Sequence, residues 1–219
     1  LSRRKSVKYQ LATELENVIQ RPKDFFDHCK GKWKSDYFKN DNPIVLELGC
    51  GKGEYSIGLA QEFPQKNFIG IDVKGDRLAS AGVLANKLDL KNVVFLRMQI
   101  QFILDFFDEN EVDEIWITFP DPRPRDRDEK KRLTFPYFLE RYKVILKPKG
   151  LVHLKTDSDS LFEYSLESLP SNGFQLIEQT FDLYQSDLNK DHFGIKTRFE
   201  EMFYNKGFSI KYLRAVNIK

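Results

Sequence analysis

The stretch Val45-Leu46-Glu47-Leu48-Gly49-Cys50-Gly51-Lys52-Gly53 constrains the fold more than any other part of the chain. An apolar run ends in three glycines at alternate positions, and a helical pattern follows. Glycine lets the turn be tight and lets a ligand approach the backbone. The helix behind it offers free N–H groups in its first turn. The third glycine comes one residue too early for the dinucleotide fingerprint, and the plainer alternative is a purely structural strand-to-helix turn. Glu47 places a carboxylate at the end of the apolar strand. A buried charge is costly without partners, so a ligand or a polar network is expected around it.

From Ile44 onward short apolar runs follow one another: Ile44–Leu48, Phe68–Asp72, Val93–Arg97, Ile115–Thr118 and Leu151–Thr156. They are rich in Val, Ile and Phe and mostly lack polar alternation, as strands buried on both faces do. Helical patterns lie between and after them at Tyr55–Phe63, Asp76–Leu88, Gln99–Phe107, Phe135–Leu146 and Ser160–Leu169. Such alternation predicts an α/β fold, a mainly parallel sheet with helices on both faces. Phe174–Leu183 and Phe208–Val216 read as an antiparallel C-terminal edge pair, which brings the sheet to seven strands. A loop with a short helix around Thr197–Phe203 joins them. Residues 1–43 are polar, with helical patterns at Leu11–Ile19 and Asp24–Cys29, and read as a basic, helical extension before a domain of residues 44–219.

A chain of 219 residues suits one sizeable core. No apolar run approaches the roughly 20 residues that span a bilayer. Cys29 and Cys50 lie in unrelated contexts, which gives neither a disulfide framework nor a zinc signature. A reducing cytoplasm is the expected compartment, and no metal is expected. The net charge of +2 does not announce a nucleic-acid protein, but the distribution says more. Arg3, Arg4, Lys5 and Lys8 form one cationic run. Arg123, Arg125, Arg127, Lys130, Lys131 and Arg132 form another. Clustered cations neutralise phosphates even when the total is near zero; a frayed tail and a solvated loop are the bland alternatives.

Three more segments carry acids to strand ends. Asp72 ends the second strand, where a carboxylate can accept from both hydroxyls of a ribose; a helix cap is the alternative, although Val73 and Lys74 delay the helix start. Asp121 lies in Phe119-Pro120-Asp121-Pro122-Arg123-Pro124 just past the fourth strand, in a loop stiffened by proline. Asp157, in Lys155-Thr156-Asp157, is expected on the same rim. It competes with Ser158 and Asp159 for the cap of the next helix.

The order of these pieces resembles the bacterial tRNA (guanine-N7)-methyltransferase family, which has the Rossmann-like class I methyltransferase fold. The matching segments are Leu46–Gly53, Gly70-Ile71-Asp72, Phe119-Pro120-Asp121-Pro122, Lys130-Lys131-Arg132-Leu133-Thr134, Thr156-Asp157 and Thr197-Arg198-Phe199-Glu200. They cover the chain from about residue 44 to its end. The resemblance implies S-adenosylmethionine as cofactor, S-adenosylhomocysteine as product, and tRNA as partner, with the methyl group going to N7 of guanosine 46 in the variable loop. It implies cofactor contacts at Glu47, Asp72 and Asp121, beside Gly49, Gly51 and Gly53. Gln99 stands where the family often has an acid, so an adenine contact is implied there from side chain or backbone. Substrate contacts are implied at Arg125, Asp157, and Thr197, Arg198 and Glu200. The cations Arg127, Lys130, Lys131 and Arg132 are expected on RNA. Two departures stand out: Arg123 replaces a usual Trp, and Asp128 a usual His.

Guanine N7 carries a free lone pair, so no general base is needed; Asp121 is the candidate catalytic carboxylate, opposing the positive charge that N7 methylation creates. The rival readings are a class I methyltransferase for another RNA base or a small molecule, and a non-catalytic RNA-binding subunit. An exocyclic-amine enzyme would usually show Asn/Asp-Pro-Pro-Tyr/Phe after strand four. A monomer or a homodimer suits either reading.

Overall fold

The computed structural model describes residues 3–219; the side chains of residues 3–6, 8 and 9 lie outside the described residues, and with them the first cationic run. The chain divides into two compact units, one ending at Asp108 and the other running Glu109–Lys219.

The first unit begins with helix α1 (Arg3–Glu14), strand β1 (Val18–Ile19) and helix α2 (Asp24–His28). A π-helical turn at Trp33–Phe38 follows, and then β2 (Ile44–Leu48), α3 (Glu54–Glu62), β3 (Asn67–Asp72), α4 (Gly75–Lys87) and β4 (Val93–Arg97). Its strands pair in parallel in the order β1-β4-β3-β2. Strands β2 and β3 are buried along their whole length, which is why they read as unbroken apolar runs. Trp33 stacks on Phe107 at 5.6 Å and donates to the Phe106 carbonyl. A 3₁₀ helix, Ile100–Asp105, takes the place of the helix expected over Gln99–Phe107, with a break at Phe102.

The second unit contains β5 (Val112–Thr118), α5 (Pro136–Ile145), β6 (Leu146–Thr156), α6 (Asp159–Ser171), β7 (Phe174–Thr180), α7 (Arg198–Asn205) and β8 (Lys211–Asn217). Strand β5 pairs in parallel with β6, while β8 runs antiparallel to both β6 and β7. The antiparallel C-terminal pair is therefore present, with its later strand on the inside. Strand β7 buries Phe174, and along the rest of it exposed and half-buried residues alternate, as in a strand with one face toward solvent.

The described strands number eight, against the seven expected. The additional one is β1, which falls in a stretch read as helix. Val18 and Ile19 register against Phe95 and Leu96, and the Phe95 N–H donates to Asn17. Asn17 is anchored by the Gly82 carbonyl and by Asn86 on α4. A two-residue strand carries too little pattern to see in sequence, yet it covers an edge of β4 that would otherwise be open.

Candidate active site

In the first unit the glycine turn and Asp72 are brought together. Gly49, Gly51 and Gly53 all have positive φ, a conformation that side chains with a Cβ disfavour. They differ in what surrounds them. A Cβ on Gly53 would lie 2.5 Å from the Phe95 ring, so that glycine serves packing. A Cβ on Gly49 or Gly51 would meet no atom within 4 Å, so those two leave open room over the turn. Asp72 faces the turn: Oδ2 accepts the Gly51 N–H at 3.0 Å and Oδ1 the Lys74 N–H at 2.8 Å. Each carboxylate oxygen has a second lone pair, so the group is fixed and can still accept from two ribose hydroxyls.

Glu47 is buried, and Oε2 accepts the Ser56 N–H at 2.9 Å together with the Ser56 hydroxyl. Ser56 is the third residue of α3, whose N–H has no partner inside the helix. The expected polar network is thus found, and it ties the strand end to the helix start. Burial, and then the carboxylates of Glu47 and Asp72, push the Cys50 thiol up. Gln99 is exposed and lines an open depression of about 520 Å³ with Val73, Met98, Arg97, Phe102 and Phe26. That volume lies within the roughly 300–1,000 Å³ usual for small-molecule sites. The depression is of mixed character, with Arg21, Arg97 and Asp105 beside its apolar side chains; open glycines, a fixed carboxylate and this depression could hold the ribose and base of an adenosine cofactor.

In the second unit the register of β5 and β6 sets Thr118 beside Lys155, and the Phe119 N–H donates to the Lys155 carbonyl at 2.8 Å. Asp121 and Asp157 therefore leave the carboxyl ends of two neighbouring parallel strands. Phe119 and Arg123 both have positive φ, a strained conformation of the kind that gathers at functional sites. The Asp121 side chain is 61% exposed and ion-paired with Arg123 at 3.1 Å. Asp157 is half-buried, and burial raises its carboxyl above the ordinary range. The helix cap after it belongs to Ser158, which accepts from the Leu161 N–H. Lys211 braces this turn through the Asp157 carbonyl and the Asp159 carboxylate.

Thr197 and Glu200 form a capping box at the start of α7. Glu200 is buried, contacts Lys155 at 2.6 Å and accepts from the Tyr184 hydroxyl at 2.9 Å. The outward groups of this segment are Arg198 and Phe199. In the cationic loop, Arg125, Arg127 and Lys130 are exposed, whereas Lys131 is paired with Asp128 at 2.7 Å. Arg132 is only 9% exposed and lies over the Tyr164 ring. His153 and His192 are buried among Trp116 and Tyr212. Burial, then Lys155 and Arg214, depress His192 to about 3. Sequence reasoning missed Ser56, Lys211 and the pairing role of Lys155. The signal available for Lys155 was a lysine inside an otherwise apolar strand.

A family model described as a putative methyltransferase matches residues 41–213. A tRNA (guanine-N(7)-)-methyltransferase of Bacteroides fragilis is 44% identical over 98% of this chain and 86% of its own length. The chain belongs to this methyltransferase family. A relative of the same description from Cytophaga hutchinsonii is 41% identical over 98% of this chain and 97% of its own. Among solved structures, the 16S rRNA methyltransferase KamB aligns with a TM-score of 0.64 at 15% identity, covering 90% of this chain and 95% of its own. That likeness shows the fold, the Rossmann-like class I methyltransferase fold expected from the sequence. Among the described residues, no helix is long and apolar enough to cross a membrane.

Proposed function

We propose that this protein transfers a methyl group from S-adenosylmethionine to N7 of a guanosine in tRNA, at position 46 of the variable loop, in the cytoplasm. The observation that carries the reading is 41–44% identity, over 98% of this chain, to proteins described as tRNA (guanine-N(7)-)-methyltransferases. Two carboxylates at neighbouring strand ends support it. When bound, the cofactor supplies an electrophilic methyl carbon on a sulfonium. Asp72 and the open glycines hold its adenosine part. Asp121 and Asp157 accept from the N1–H and N2–H₂ edge of the guanine, which leaves N7 free on the opposite edge. Their charge opposes the positive charge that N7 methylation creates. Alignment supplies most of the remaining catalysis. The buried histidines stay outside this scheme, as the reaction needs no base.

The direct test is incubation with labelled cofactor and unmodified tRNA, followed by mapping of the methylated atom. Label on an exocyclic amine, or tight tRNA binding without transfer, sinks the reading. Two further outcomes are expected. S-adenosylmethionine and S-adenosylhomocysteine raise the melting temperature by binding the native state, and NAD does not. Asp72→Ala weakens cofactor binding by about 1–3 kcal/mol, the worth of the lost hydrogen bonds; calorimetry reads both, and a response to NAD alone contradicts the site. Affinity for tRNA falls steeply with salt. Replacing Arg125, Arg127 and Lys130 together by Ala reduces the log–log salt slope by about 2–3, with cofactor binding intact. An unchanged slope would turn these side chains away from RNA.

A further inference from the structure

We propose that Arg123, Arg132 and Tyr164 form a positioning relay that fixes the Asp121 carboxylate; the proposal rests on the reading of Asp121 as the group facing the reacting base. Proline on either side limits the backbone, but it does not set the rotamer of a side chain that is 61% exposed. Arg123 does. Its N–H reaches Asp121 Oδ1 at 3.3 Å and its guanidinium reaches Oδ2 at 3.1 Å, so both oxygens are held by one residue. Arg123 in turn sits at a φ of 48°, a conformation that persists only where its surroundings enforce it. Its carbonyl accepts from Arg132 Nε at 3.2 Å. The Arg132 guanidinium lies 4.5 Å from the centre of the Tyr164 ring, and Tyr164 belongs to α6.

The chain of contacts thus runs from a packed helix, through a buried guanidinium, to a strained backbone and then to the carboxylate. Arg132 is the cation of its run that is spent inside the protein rather than offered to phosphate. An exposed ion pair such as Arg123–Asp121 contributes little stability, so its effect is geometric. Arg123, which departs from the family's usual Trp, is the residue that supplies the pair.

The test compares Arg123→Ala with Arg123→Lys, and Tyr164→Leu with Tyr164→Phe, under saturating cofactor and tRNA. The Ala and Leu variants are expected to lose kcat by on the order of tenfold to a hundredfold, as misplacement of a reacting group does. Dissociation constants for cofactor and tRNA stay within about twofold of wild type, a small change for an exposed pair. Lysine restores the charge and phenylalanine the ring, so both recover most of the turnover. Wild-type kcat in the Ala and Leu variants overturns the relay. So does a loss confined to tRNA affinity, which would make these cations phosphate contacts. A fall in melting temperature with kcat unchanged would make Tyr164 a packing residue only and also overturns it. If Tyr164→Leu fails to fold, the two Arg123 variants, altered at a partly exposed side chain, decide the matter. A wild type that methylates no tRNA guanosine refutes the functional reading and the relay with it; an active wild type with indifferent variants refutes the relay alone.

Discussion

Asp121→Asn is expected to turn over on the order of a hundredfold or more slowly, the effect of removing one preorganised electrostatic contact. Asparagine keeps the size of the side chain and an oxygen that can accept the Arg123 N–H. It loses the negative charge that faces the guanine as N7 becomes cationic, and the ion pair with Arg123. Because the side chain is largely exposed, stability should change by no more than about 0.5 kcal/mol. Phosphate contacts dominate tRNA affinity, so binding should hold while the chemical step fails. Single-turnover transfer of labelled methyl separates the two. An Asn variant at the wild-type rate, with cofactor and tRNA saturating, would show that the charge is not needed, and the mechanism would fall while the family assignment stood.

The parts of this protein that were legible in its sequence are those where one local pattern decides. Ile44–Leu48 and Val93–Arg97 have the same bounds in the structure as in the sequence reading, because strands buried in the sheet leave unbroken apolar runs. The glycine turn was legible because positive φ favours glycine, and three such positions follow within five residues of the strand end. What stayed hidden depends on partners far along the chain. Arg132 reads as one more cation in a solvated run until Tyr164 is placed against it. Strand β1 has no pattern of its own and forms only because β4 offers an edge. The Thr197–Glu200 segment is a different case. A Thr followed three residues later by Glu is a capping-box signature, and the sequence reading gave those residues a substrate role through family resemblance alone. The structure shows the cap as well, so a base contact from Thr197 or Glu200 has to be made by groups already holding a helix start, whereas Arg198 and Phe199 face outward.

That helix start is also where the largest stability effect is expected. Lys155 and Glu200 are 1% and 0% exposed, with Nζ and Oε1 2.6 Å apart. Burial pulls the Lys155 ammonium below its ordinary range, and Glu200 acts in the opposite sense. The pair persists because each charge answers the other in a place where water cannot. Lys155→Met removes one of them and leaves a carboxylate with the Tyr184 hydroxyl and the backbone of its own helix cap. Breaking a buried pair in this way costs about 3–5 kcal/mol, a large share of the roughly 5–15 kcal/mol that holds a typical domain together. The double variant Lys155→Met with Glu200→Gln should recover much of the loss, because no uncompensated charge is then buried. Urea unfolding reads both variants. A single variant within about 1 kcal/mol of wild type, the range of an exposed pair, would mean that the carboxylate finds water or another partner. If the loss is as large as expected, the same variant should also impair methylation, because the pair joins the end of β6, from which Asp157 emerges, to the first turn of α7, from which Arg198 and Phe199 project.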